Sequence, residues 1–314
     1  MRPPASAPDL VVVVRTAGER TAAICRALLL RQLPAGHLHL VDERPLEAAL
    51  RRCYQIGIDS GAEWMMTVDA DVLGRAGAVP DLLRRAIRMP QRYVQVEGRI
   101  RDKLRGGYRE AGHRVYRTRY LSRALAALPR DGAEIRPEFA TLERLSRQGY
   151  PSLKCGIRFG IHDYEQYYRD LYRKAFVHGQ KHPHWTLEVL PRWKAQADHD
   201  PDFAIAMRGY CDGLQSATPA RIDARRYADD AARAMHQLGL AEKAPLDDDP
   251  ETLAAIEALQ AVVLATAPDD EPAPAGARLR ALYRRFGVAR AGLAVFGSWL
   301  NRLGDRARRA AEPE

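Results

Sequence analysis

The sequence has few cysteines, and no apolar run long enough for a membrane span. Its four cysteines form no CxxC pair, so neither a zinc site nor a disulfide framework is indicated, and a reducing, cytoplasmic compartment is expected. Residues 1–10 lack the apolar core of a signal peptide, and the longest late apolar segment, 288–300, is too short to cross a bilayer. These absences predict a cytoplasmic protein, either soluble or peripheral at the inner face of the plasma membrane.

The chain also lacks the spacing of a zinc finger, although it is basic. Its 49 Lys and Arg residues outnumber its 40 Asp and Glu residues, which gives a net charge of +9. Such a balance favours phosphate-bearing ligands or an anionic surface. Without a nucleic-acid-binding motif, nucleic acid is not expected as a partner.

Short apolar runs alternate with helical patterns in the first quarter of the chain. Runs at 10–14, 37–41 and 64–68 read as strands, and each is followed by a polar loop. This order predicts an α/β fold with a mostly parallel, Rossmann-like sheet and flanking helices. The charged, Gly-containing segment 100–113 is expected to be a mobile excursion, and residues 99–114 a lid that orders on nucleotide binding. After residue 162 the composition predicts a helical C-terminal region.

Two aspartates follow the third apolar run. Asp69 and Asp71 stand one residue apart at the end of 64–68, where open α/β sheets collect ligands. Two carboxylates in one crevice repel each other, and a hard divalent cation with oxygen ligands relieves that repulsion. The pair therefore favours a metal site, although a solvated turn has the same tripeptide.

A family resemblance rests on four features. The first strand runs into a Thr-containing loop, the second ends in Val-Asp-Glu, and GAEW precedes a strand that ends in Asp-x-Asp. The segment 10–162, roughly half of the chain, thus resembles nucleotide-diphospho-sugar glycosyltransferases of the GT-A fold, nearest to family 2. The resemblance implies a nucleotide-diphospho-sugar donor and a divalent cation.

The same resemblance implies roles for five residues. Thr16 and Asp42 would contact the nucleobase and ribose, with Glu19 in the same pocket. Asp71 would bind the metal directly, and Asp69 would bind the metal or the ribose.

A further match lies in RPEFATLERLSRQGYPS, which is similar to the family segment that carries the catalytic base. Glu138 takes the place of that base, whereas Pro137 departs from the family's first acid. As base, Glu138 would deprotonate the acceptor hydroxyl, and a single displacement would invert the anomeric carbon. The alternative is an ordinary acid in a first helical turn, favoured by the helix dipole.

His162, at the end of KCGIRFGIH, corresponds to a histidine that completes the metal site in several enzymes of this fold. An imidazole with two carboxylates suits Mn²⁺ somewhat better than Mg²⁺. The alternative is a histidine that caps the following helix.

The segment HGQKHPHW is a polar and aromatic cluster. Its His178 and His182 are four residues apart, but no glutamate stands between them where a zinc protease would need it. We expect Lys181, His178 and His182 to line the diphosphate or acceptor site, with a surface helix end as the alternative.

The predicted organisation follows from these assignments. It comprises a tail (1–9), a GT-A domain (10–185), a helical extension (186–265), a linker (266–277) and a basic amphipathic helix (278–314) that would contact a membrane. The predicted function is metal-dependent transfer of a hexosyl-type sugar to a glycan or lipid-linked acceptor, in surface or lipid-linked glycan assembly. The alternative is an inactive GT-A-like module that binds a nucleotide or a protein partner.

Overall fold

The computed structural model describes residues 9–223 and 226–266. Its strands are β1 (Leu10–Arg15), β2 (Leu38–Val41), β3 (Trp64–Asp69), β4 (Val72–Gly74), β5 (Gln95–Asp102), β6 (Gly107–Arg109), β7 (His113–Arg117) and β8 (Ser152–His162). Its helices are α1 (Ala22–Leu30), α2 (Leu46–Asp59), α3 (Ala78–Ile87), α4 (Leu121–Ala126), α5 (Pro137–Arg147), α6 (Tyr168–Lys181), α7 (Trp185–Glu188), α8 (Leu190–Gln196), α9 (Pro201–Gln215), α10 (Ala228–Gln237) and α11 (Pro250–Thr266). Short 3-10 turns lie at Ala35–His37 and Thr118–Tyr120.

The strands form one mixed sheet in the order β2-β1-β3-β7-β5-β8-β4, with β6 paired to β5. Strands β1, β2 and β3 are mutually parallel, β5 is parallel to β8, and β7 joins the two groups by antiparallel pairing. Strands β1, β2, β3, β5 and β8 therefore run in one direction, and their carboxyl ends share an edge. The predicted α/β class is confirmed.

The sheet lies in the middle of the domain, because the side chains on both faces of β1 are mostly apolar and need to be covered. All six residues of LVVVVR are buried, as expected for a parallel strand covered on both faces. Val12 and Val14 face a core that includes α1, α3 and α11, whereas Val11 and Val13 face one that includes α2, α4 and α5. The sheet is thus sandwiched between two helical layers.

The segment 100–113, predicted to be a mobile excursion, is largely part of the sheet. Residues Ile100–Asp102 extend β5 and pair with Gly107–Arg109 in β6. The same end of β5 pairs in parallel with β8. The prediction of a mobile, unpacked excursion is wrong, because the charged side chains that suggested a loop lie on paired strands. A lid that orders on nucleotide binding stays a prediction.

The helices after β8 form a second apolar core around α6 and α9. These two helices pack closely because glycines face the neighbouring backbone: a Cβ on Gly209 would lie 2.4 Å from the Tyr172 carbonyl oxygen, and one on Gly213 2.1 Å from that of Phe176. The helical character predicted for this region is confirmed, and α6 is held firmly beside the sheet. The boundary placed at residue 185 stays a prediction.

The predicted tail up to residue 8, the linker from residue 267 and the basic amphipathic helix 278–314 lie outside the described residues. In the described part of the chain, no helix has the length and apolarity to cross a membrane.

Gly112 offers a test of how tightly the chain passes the end of β3. It has a positive φ of 70°, and a Cβ there would lie 2.5 Å from Val72 Cγ2. We expect Gly112→Ala to lower the free energy of unfolding by about 3 kcal/mol, because left-handed strain adds to overpacking. Urea denaturation measures the change.

Gly61→Ala is the matched control for Gly112→Ala. Gly61 has a similar φ of 68° but no atom within 4 Å of a built Cβ, so only the backbone strain of about 1–2 kcal/mol is expected. Equal losses in the two variants would show that the contact with Val72 relaxes at no cost.

Candidate functional site

The carboxyl ends of the co-directed strands bring polar residues to one edge of the sheet. Arg15 ends β1 and lies in register with Asp69, which ends β3. Asp102 ends β5 and lies in register with His162, which ends β8. A cavity of about 300 Å³ opens at this edge. The edge is therefore the candidate site, as strand direction predicts for an α/β sheet.

Three buried side chains in this cavity form a potential metal site: Asp71, His162 and Asp163. One ligand atom from each lies within 4.8 Å of the other two. Asp71 Oδ1 has no hydrogen-bond partner in the described residues and is 3.5 Å from His162 Nε2. Two carboxylates and an imidazole with an unsatisfied buried oxygen fit a divalent cation such as Mn²⁺.

The orientation of His162 supports that fit. Its Nδ1 is 2.9 Å from Asp102 Oδ2 and 3.1 Å from Asp163 Oδ2, while Nε2 faces Asp71. Asp102 is fixed in turn by Arg109 and by the backbone amide of Arg105. Metal-binding histidines commonly carry a carboxylate on the ring nitrogen away from the ion. Asp102 is thus placed to position His162.

Asp163 was not predicted as a site residue. It directly follows His162 and has a positive φ of 64°, and its side chain is almost fully buried. Aspartate tolerates this left-handed conformation better than most residues, which turns the chain back beneath the end of β8. The sequence signal that could have identified Asp163 is its place directly after His162 at the end of a predicted strand.

Lys174 also went unrecognised in the sequence. It projects from α6, and its ammonium contacts Asp71 Oδ2 and Asp163 Oδ1. Burial alone would lower the pKa of Lys174, but Asp163 and Asp71 outweigh it and raise the pKa above its usual value. Lys174 is therefore a permanent cation among the candidate metal ligands.

Asp69 lies apart from this group. Arg15 Nε donates a 2.7 Å hydrogen bond to Asp69 Oδ1, and the Asp69 side chain is about one-third exposed. Burial raises the pKa of Asp69, Arg15 lowers it, and the net shift is upward. The structure thus brings Asp71 and His162 together as predicted, with Asp163 in the position expected of Asp69.

Glu138 does not line the cavity. Its carboxylate accepts hydrogen bonds from Arg15, Arg114 and the Tyr116 hydroxyl. Burial alone would raise the pKa of Glu138, but Arg114 and Arg15 hold it at about 2. A carboxylate engaged in this way is a weak base, so the arrangement does not favour the predicted catalytic role.

The residues predicted to bind the nucleoside are divided between the cavity and its surroundings. Thr16 and Glu19 line the cavity, and the Thr16 hydroxyl donates a 2.9 Å hydrogen bond to Glu19. Asp42 is more than half exposed, pairs with Arg44 at 2.9 Å and does not line it. Its neighbours Glu43 and Arg44 do.

The predicted cluster on α6 is divided in the same way. His178 and Lys181 line the cavity, whereas His182 lies outside it and accepts a 2.7 Å hydrogen bond from Arg136. Burial, with Arg136 and Arg109 nearby, lowers the pKa of Lys181 to about 7. Lys181 has no ion-pair partner in the described parts of the chain.

Basic side chains line the cavity together with its carboxylates. The cationic side chains that line it are Arg15, Arg44, Arg109, Arg173, Lys174 and Lys181. Several basic side chains beside a potential metal site suit a ligand that carries several phosphate charges.

No known protein family matches the sequence, and no curated protein does. Among solved structures, a mannosyltransferase from Pyrobaculum calidifontis in complex with GDP-Man and Mn²⁺ is 15% identical, with a TM-score of 0.38 over 93% of this chain and 87% of that one. A putative nucleotide-diphospho-sugar transferase from Desulfovibrio desulfuricans is 11% identical, with a TM-score of 0.34 over 65% of this chain and 98% of that one.

A third similar structure, 4-diphosphocytidyl-2C-methyl-D-erythritol synthase, is 13% identical, with a TM-score of 0.34 over 48% of this chain and 89% of that one. At TM-scores below 0.5, these similarities do not assign a function to this chain.

Proposed function

We propose that this protein is a glycosyltransferase that uses a nucleotide-diphospho-sugar and a divalent cation, Mn²⁺ or Mg²⁺. The observation that carries the proposal is the buried group of Asp71, His162 and Asp163 at the carboxyl edge of the sheet, facing a basic cavity. Carboxylates for a cation and a basic wall for phosphates are the two halves of a metal-diphosphate site. The resemblance of residues 10–162 to GT-A enzymes supports the sugar as the group transferred.

Each set of side chains has a part in this proposal. Asp71, His162 and Asp163 would hold the cation, which would stabilise the negative charge that develops on the departing diphosphate. Arg109, Arg173 and Lys181 would bind the phosphates, while Thr16 and Glu19 would contact the nucleoside. Asp69, fixed by Arg15, would face the ribose.

Glu138 has a structural role in this proposal. It pairs with Arg15, which lines the cavity, and with Arg114, and so helps to hold Arg15 against Asp69. Inversion at the anomeric carbon stays a prediction from the family resemblance.

Calorimetric titration of UDP, GDP and TDP, with and without Mn²⁺, tests the donor site. We expect one nucleotide to bind in a Mn²⁺-dependent manner, and we expect Asp71→Ala to lose that dependence because the ion loses a carboxylate ligand. Asp198→Ala is the control, since Asp198 is exposed and does not line the cavity. If none of the three nucleotides binds with or without Mn²⁺, the proposal fails.

One observation favours the inactive binding module as a second candidate: the only residue that matches the family's base is held by two arginines. Metal-dependent hydrolysis of a nucleotide-sugar in the absence of acceptor separates the two candidates. Binding without any hydrolysis or transfer would support the module.

The acceptor and the location of the protein complete the proposal. We infer a glycan or lipid-linked acceptor at the cytoplasmic face of the plasma membrane, with 278–314 as the membrane contact. The basic, apolar-periodic composition of that segment supports the membrane contact. Assays that offer the same acceptor glycan free or lipid-linked in anionic vesicles test this part. Equal transfer to both would remove the membrane from the proposal.

A further inference from the structure

Lys174 occupies an unusual position for a lysine. Its ammonium contacts one oxygen of Asp71 and one of Asp163, two of the three candidate metal ligands. The side chain is 16% exposed, so little water screens these contacts. Its helix cannot easily move away, because α6 packs against the glycine face of α9. The ammonium is therefore a fixed component of the site.

We propose that Lys174 is a built-in competitor of the divalent cation for Asp71 and Asp163. The inference rests on the proposed function for the identity of the ion and of the nucleotide. A lysine ammonium and a divalent ion bound to the same pair of carboxylates would lie close together and repel each other strongly. Loading the ion thus requires Lys174 to give up its contacts with both aspartates.

The local charge explains why this competition would matter. Arg109 pairs with Asp102, whereas Asp71 and Asp163 share Lys174 and also lie against His162, whose proton a bound ion would displace. A divalent ion alone would neutralise the two aspartates and leave the ammonium uncompensated in a partly buried site. A nucleoside diphosphate brings the negative charge that then offsets Lys174. The ion and the nucleotide are therefore expected to load together, and the ion alone to load weakly.

The test is a titration of Mn²⁺ without nucleotide, followed by the electron paramagnetic resonance signal of the free ion. We expect Lys174→Gln to bind Mn²⁺ at least about tenfold more tightly than the wild type, because a repelling charge is removed. Lys174→Arg keeps the charge and should bind Mn²⁺ no more tightly than the wild type.

Lys194→Gln is the matched control for the loss of one positive charge. Lys194 is exposed on α8, so its substitution is expected to leave the Mn²⁺ affinity within about twofold of the wild type because exposed charges are screened. Equal or weaker Mn²⁺ binding by Lys174→Gln, relative to the wild type, would overturn the competition.

A second measurement covers the case in which Lys174→Gln is poorly folded. Without Mn²⁺ the variant leaves two buried aspartates repelling each other, so its Tm should fall. Mn²⁺ should then raise its Tm more than that of the wild type, because a tighter ligand stabilises more at the same concentration. An equal or smaller rise in the variant would also overturn the proposal.

Different parts of the experiment test the proposed function and the role of Lys174. The comparison without nucleotide decides on Lys174 alone. Repeating the Mn²⁺ titrations with the nucleoside diphosphate should strengthen binding more in the wild type than in Lys174→Gln. If no nucleotide binds, the proposed function is lost while the nucleotide-free result for Lys174 stands.

Discussion

Glu138→Gln is expected to lower the free energy of unfolding by about 2–3 kcal/mol, a large share of a typical domain's stability. The carboxylate is the shared partner of Arg15 and Arg114, whose side chains are 6% and 14% exposed. A neutral amide leaves Arg15 with Asp69 and Arg114 with Glu97 as the remaining counter-charges, and it places an N–H group among other donors. Urea denaturation measures the loss.

The pH dependence of the stability provides a second readout for Glu138. Its pKa is depressed from 4.5 to about 2, so its stabilising contribution is fully present above pH 4.5 and is lost as the pH falls toward 2. The wild type should therefore lose more stability than Glu138→Gln over that interval, because the variant has no carboxylate to protonate.

Glu143→Gln is the control on the same helix, since its partner Arg147 is exposed and the pair is worth little. We expect it to change the free energy of unfolding by no more than about 0.5 kcal/mol. A Glu138→Gln protein that kept its stability but lost sugar transfer would restore Glu138 as the catalytic base.

Asp163→Asn is expected to weaken Mn²⁺ binding by about 100-fold or more in the presence of the nucleotide. Substituting the outer partner of a metal ligand commonly costs 10–100-fold, so losing a charged ligand should reach at least the upper end. Asparagine accepts the left-handed backbone at this position, so the change isolates the charge. Calorimetric titration of Mn²⁺ measures the affinity.

Glu165→Gln is the matched control for Asp163→Asn. Glu165 lies two residues further along and also has a positive φ, of 58°. Its side chain is 45% exposed and pairs with Arg20 rather than with the candidate metal ligands. We expect an affinity within about twofold of the wild type, because exposed ion pairs contribute little. Comparable losses in the two variants would remove Asp163 from the metal site.

The sequence was sufficient for β1, β2 and β3 and for two of the three candidate metal ligands. Apolar runs that end in polar residues are local patterns, and strand direction then brings their ends together, which is why Asp71 and His162 meet. The direction of β7 and the pairing of β5 with β8 depend on contacts between distant segments. The sheet edge at Ile100–Asp102 was therefore mistaken for a loop.

The roles of single side chains were harder to predict. Lys174 is 103 residues from Asp71 in the chain, and only the packing of α6 brings them together. Glu138 begins its helix as expected, but its burial between Arg15 and Arg114 depends on three separate elements. Sequence motifs locate a carboxylate, whereas its charge partners are set by tertiary structure.

The last described helix, α11, returns to the sheet instead of ending among the helices that precede it. Leu253 and Ile256 of α11 enter the core beneath the sheet, and Gln260 donates a 2.9 Å hydrogen bond to the Leu73 carbonyl of β4. The helices between β8 and α11 are thus connected to the sheet at both ends, by β8 and by α11. A group of helices connected at both ends has little freedom to rotate as a rigid body about one hinge. Substrates would therefore enter a cleft of nearly constant width, with Lys181 and Lys174 moving as side chains rather than with their helix.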